Sequence, residues 1–92
     1  MSGMIIGTAM IRNPTGLHAR PAVKLAKLAK TFDASVEVST SNGAWVNAKS
    51  TNSLMKMKAT FGTPLTIRAE GLDAQTAVHE LVKLITQDFE AP

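Results

Sequence analysis

With 92 residues, 45% of them apolar and 18% charged, the chain has the size and composition of one small globular domain, not of a disordered or multidomain protein. It has no cysteine, which excludes disulfide frameworks and thiolate metal sites and suits a cytoplasmic setting. Its net charge of +3 suits an acidic protein or a phosphate better than a nucleic-acid track. No stretch approaches the roughly 18–20 apolar residues of a membrane span.

The N-terminal "MSGMIIGTAMIRN" has no basic residue ahead of its short apolar run. It therefore reads as a first strand over 4–11, not as a signal peptide. "NPTG" follows, with Asn13 at position i, Pro14 at i+1 and Gly16 at i+3 of a type I turn. From Ala19 to Phe32 the period is helical. Leu25, Leu28, Ala29 and Phe32 share one face, with Ala22 beside them, and Lys24, Lys27 and Lys30 border or oppose it. "ASVEVSTSNGAWVNAK" alternates with period two around "SNGA", a hairpin signal. Ala34, Val36 and Val38 fall on one face and Ser35, Glu37 and Ser39 on the other; Ala44, Val46 and Ala48 continue the apolar set opposite Trp45 and Asn47.

Ser50 then caps a short helix carrying Leu54, Met55 and Met57. "TPLTIRAEG" is a further strand, with Leu65, Ile67 and Ala69 inward and Thr66, Arg68 and Glu70 outward. Asp73 is a suitable N-cap for the last helix, whose stripe is Ala77, Val78, Leu81, Leu84 and Ile85, extended by Phe89. His79 lies mid-helix among core positions and reads as structural. The predicted order is β-α-β-β-α-β-α in a single domain over residues 1–92. Strands with one apolar and one polar face call for helices on one side and water on the other, an open-faced α+β sandwich.

The chemistry concentrates in "TGLHARPA", residues 15–22. With His18 as N-cap, Ala19, Arg20 and Pro21 are the first three helical positions. Proline is tolerated there because its missing N–H would have no intrahelical acceptor. The amides of Ala19 and Arg20 are left free at the positive end of the helix, and Arg20 adds a full charge. Together they form a small anion site beside an imidazole. Spacing alone also allows a plain surface or capping histidine.

"GLHARPA" resembles the active-site signature of the HPr family, the histidine-containing phosphocarriers of the bacterial phosphoenolpyruvate-dependent sugar phosphotransferase system. "NAKS" before a short helix and "TIRAEGLDAQTAVHELVKLI" resemble its second motif and its final strand and helix, so the likeness covers roughly residues 5–89. The resemblance implies a four-stranded antiparallel sheet covered on one face by three helices. It implies that His18 accepts a phosphoryl group on Nδ1 from enzyme I and passes it to a IIA domain, with Arg20 steadying the group. Such a carrier is stoichiometric, not an enzyme, and needs no metal or cofactor. It is expected to be a cytoplasmic monomer, with no nucleic-acid or membrane partner.

Ser50 matches a serine that a kinase phosphorylates in some family members; the helix-cap reading is favoured here. Docking to partners is expected at Thr51, Asn52, Leu54 and Met55, with Lys27, Lys30 and Lys49 at the rim. The family usually presents apolar residues just after the serine and a glycine after the short helix. This chain has Thr51, Asn52 and Lys58 at those places. The departures point to altered or weaker docking, as in a specialised paralogue or an HPr-like domain of a longer protein. The rival reading is a non-catalytic α+β regulatory or ligand-binding module, which covalent labelling at His18 would distinguish. A nucleic-acid reader would need stacking aromatics, and the chain has one Trp, three Phe and no Tyr.

Overall fold

The computed structural model describes residues 3–40 and 43–89. Its elements are β1 (Met4–Met10), α1 (Ala19–Lys30), β2 (Ser35–Ser39), β3 (Trp45–Asn47), α2 (Thr51–Lys56), β4 (Pro64–Glu70) and α3 (Ala74–Thr86), in the order expected. The strands form one sheet in the order β1-β4-β2-β3. Every pairing is antiparallel, with Gly7 opposite Ile67, Ile67 opposite Val38 and Val38 opposite Val46. The hairpin between β2 and β3 forms as the alternation predicts, although Ser41 and Asn42 of its "SNGA" signal lie outside the described residues.

The three helices cover one face of the sheet. Inward positions of the strands (Ala9, Val36, Val38, Leu65, Ile67, Ala69) meet Ala22, Leu25 and Ala29 of α1 and Ala77, Leu81 and Ile85 of α3 in one core. Helix α3 lies so close to β1 that a Cβ on Gly7 would stand 2.7 Å from Val78 Cγ1. A single glycine therefore sets the spacing between that helix and the edge strand.

Several details differ from the periodic reading. Helix α1 ends at Lys30, and Phe32 packs half-buried beyond it. Ala44 is exposed because β3 begins only at Trp45. Ser39, expected on the watered face, is buried: it sits in register between Trp45 and Thr66, and its hydroxyl donates to the Thr40 carbonyl at 2.9 Å. His79 is not among core residues; it faces solvent, with Nε2 4.0 Å from a Glu80 carboxylate oxygen.

Asp73 occupies the N-cap position of α3, but its side chain caps nothing there. Its two carboxylate oxygens accept instead from the N–H groups of Asp33 and Ala34, each at 2.8 Å. It ties the start of α3 to the loop between α1 and β2. The Asp33 amide bond, ahead of burial and the other causes, holds the Asp73 carboxyl below its ordinary value.

Candidate phosphoryl-acceptor site

The turn that presents His18 is held from three sides. Gly16 N–H donates to the Asn13 carbonyl at 3.1 Å, closing the predicted turn. The buried Asn13 side chain donates back to the Gly16 carbonyl at 2.6 Å and to Thr15 Oγ1 at 3.2 Å. Leu17 N–H donates to the Ala59 carbonyl at 2.8 Å, which fixes the turn to the segment ahead of β4. Gly16 has φ +71°, and a Cβ there would lie 2.5 Å from the Ala59 oxygen, so both conformation and space require glycine.

From this base the chain enters α1. His18 is the N-cap, in extended conformation (φ −97°, ψ −171°); its carbonyl accepts from Ala22 N–H at 2.8 Å. Its side chain makes no capping hydrogen bond. The bland role for this histidine is therefore unused, and the ring is exposed. Ala19 and Arg20 follow, also exposed, and their N–H groups have no intrahelical carbonyl to meet. No acidic residue lies in the first turn. Among the described residues Arg20 has no carboxylate within ion-pair distance. The result is an imidazole, two free amides and an unpaired guanidinium at the positive end of a 12-residue helix.

The second expected region is only partly a surface. Ser50 does cap α2, accepting from Ser53 N–H at 3.2 Å. Thr51 is half-buried, and Asn52 and Met55 are exposed. Leu54, expected in the docking patch, is fully buried in the core, because a one-and-a-half-turn helix lying on α1 must turn one residue inward. Lys49 is likewise not a free rim residue: its Nζ donates to the Phe32 carbonyl at 2.8 Å, just past the end of α1. Lys24 is tied in the same way, to the Phe89 carbonyl at 2.6 Å. Lys27 and Lys30 are exposed, as expected. Trp45 projects from the open sheet face under Arg68, whose guanidinium carbon is 3.9 Å from the ring centroid, and Arg68 pairs with Glu37 at 2.8 Å.

Lys58 stands at φ +54°, directly after the C-cap of α2. The backbone there takes the left-handed conformation that favours glycine, and a lysine occupies it. Periodicity gave no signal for the exposed Phe61 on the next turn. Among the described residues no group of three or more His, Cys, Asp or Glu is placed to hold a metal, and no helix is long and apolar enough to cross a membrane.

Comparison with known proteins gives the family and the fold. Residues 6–87 match the family described as "PTS HPr component phosphorylation site". The phosphocarrier protein HPr of Vibrio cholerae is 49% identical over 72 residues, 78% of this chain and 84% of that one. The phosphoryl donor subunit DhaM of a dihydroxyacetone kinase from Providencia stuartii is 36% identical over 87% of this chain, but that match spans 17% of DhaM. The crystal structure of an HPr from Thermoanaerobacter tengcongensis superposes with a TM-score of 0.88 at 36% identity, covering 96% of this chain and 98% of the other.

Proposed function

The chain belongs to the HPr family of phosphocarriers of the phosphotransferase system, and from that premise we propose that His18 is its phosphoryl acceptor, Arg20 and the amides of Ala19 and Arg20 its phosphate clamp. It is a carrier and not an enzyme in its own right. Enzyme I is the donor and a IIA domain the acceptor. The lone pair of His18 Nδ1 attacks phosphorus. The bond from phosphorus to the donor's histidine nitrogen breaks, and its electron pair returns to that ring. The onward transfer is the same step with His18 as the leaving group.

Nδ1 is the ring nitrogen nearer the main chain, so a phosphoryl group there lies closer to the free amides than one on Nε2. Positioning and charge account for most of such a transfer, and neither requires a further functional group from the carrier. The observation that carries the reading is the N-cap histidine whose ring is not spent on capping while two amides and Arg20 stand free beside it. Thr51, Asn52 and Met55, with Lys27 and Lys30, border the docking face; Ser50 serves as the cap of α2. The test is phosphoryl uptake from phosphoenolpyruvate with enzyme I, followed by transfer to a IIA domain. The wild-type chain gains and passes on an acid-labile phosphoryl group. Equal labelling of His18→Ala would sink the reading and favour a regulatory module without phosphoryl chemistry.

A further inference from the structure

Phe61 is 64% exposed, the largest aromatic surface among the described residues, in a turn that joins α2 to β4. That turn is rigid. Gly62 N–H donates to the Ile11 carbonyl at 2.7 Å, Ile11 N–H to the Thr63 carbonyl at 3.0 Å, and Thr63 N–H to the Thr60 carbonyl at 3.0 Å. Thr60 N–H adds a bond to Thr63 Oγ1 at 3.2 Å. The turn also abuts the His18 loop, through the Leu17–Ala59 hydrogen bond and the close approach of Gly16 to Thr60. A solvated aromatic on a hydrogen-bonded turn that abuts the His18 loop has no role in the core, and little backbone freedom is lost when it is covered.

The charge around it has one sign. The stretches 11–32 and 48–63, which include the His18 turn and the turn before β4, hold eight of the ten basic residues and none of the seven acidic ones, although Lys27, Lys30 and Lys49 lie toward the far end of α1. Arg12 and Lys58 flank the turn, and Arg20 and Lys56 lie on the neighbouring helices, all exposed. At the start of α2 the surface is polar instead, with Thr51 and Asn52.

We propose that Phe61 is the apolar anchor by which the phosphoryl donor docks, entering a pocket on that protein whose rim is acidic. The proposal rests on the reading of His18 as acceptor, since it is the position beside His18 that identifies the partner as a transfer partner. The apolar centre of the interface then lies on the turn before β4, with Met55 the nearest exposed apolar residue of α2, and the basic residues form its rim. The rim governs encounter and salt dependence, the anchor the lifetime of the complex.

The test measures binding and transfer separately. Binding of enzyme I to the unphosphorylated wild type, Phe61→Ser and Phe61→Leu is followed by calorimetry, and phosphoryl transfer is followed over a range of carrier concentrations. We expect Phe61→Ser to raise Kd and KM at least tenfold with kcat unchanged, and Phe61→Leu to recover most of the loss. Unchanged Kd in Phe61→Ser overturns the proposal. So does wild-type self-association that Phe61→Ser abolishes while enzyme I binding persists, because the anchor would then serve a second copy. A wild type that binds enzyme I through Phe61 but takes no label overturns the His18 reading and leaves the anchor standing.

Discussion

His18 stands where it does because Gly16 can hold φ +71° and lie against the Ala59 carbonyl, and because Asn13 locks the turn behind it. Arg20 adds a full positive charge beside it, without an ion-pair partner among the described residues. Arg20→Ala therefore leaves the fold intact and slows phosphoryl transfer by about 100-fold, the usual effect of removing one stabilising donor from a charged transition state; rapid-quench kinetics with enzyme I check this. Lys58 offers the opposite opportunity. Its left-handed backbone costs a side-chain-bearing residue energy that glycine does not lose. Lys58→Gly is expected to stabilise the protein by about 1 kcal/mol, read as a raised midpoint in urea unfolding.

At the scale of elements, α2 divides sharply between core and surface. Leu54 is wholly buried while Met55, its neighbour, is 38% exposed. Leu54→Ala should cost about 3 kcal/mol and Met55→Ala well under 1 kcal/mol, roughly what a surface change costs; paired urea titrations separate the two. Asp73 links α3 to the loop after α1. Its carboxyl titrates below the ordinary value because the charged form accepts the Asp33 and Ala34 amides. The native state thus binds the proton less readily than the unfolded chain. The stabilisation is present above the unfolded value near 4 and is lost as pH falls through the lower folded one. Stability measured from pH 6 down to pH 2 should show this loss, and Asp73→Asn should reduce it.

The same elements show what could be read in advance. Period two over "SVEVS" and "PLTIRAE" and the 3.6-residue stripe of α3 are consequences of burial on one face, so strands, helices and their inward residues were legible. The arrangement around His18, an exposed N-cap ring beside the first-turn amides and Arg20, was legible because its parts are consecutive in the chain. The roles of Asp73, Lys24 and Lys49 were not. Each side chain reaches a backbone group far away in sequence, 65 residues away for Lys24, and local pattern carries no trace of such a partner. Leu54 and Met55 were not separable either, because six residues of helix are too few to define a phase.

At the scale of the whole molecule, the sheet and helices bring two distant segments, the turn before α1 and the turn before β4, together, with Arg12, Arg20, Lys56 and Lys58 exposed on or beside them. The fold supplies the frame; on the proposed reading the chemistry belongs to one ring at a helix start. The most direct measurement is therefore the location of the phosphoryl group. The 15N-labelled chain is incubated with phosphoenolpyruvate and catalytic enzyme I, its mass is taken intact, and its imidazole nitrogens are observed by NMR. The account predicts a single added phosphoryl group, bonded to Nδ1 of His18 and lost in acid. An acid-stable group on Ser50, or a mass gain in His18→Ala equal to that of wild type, would contradict it.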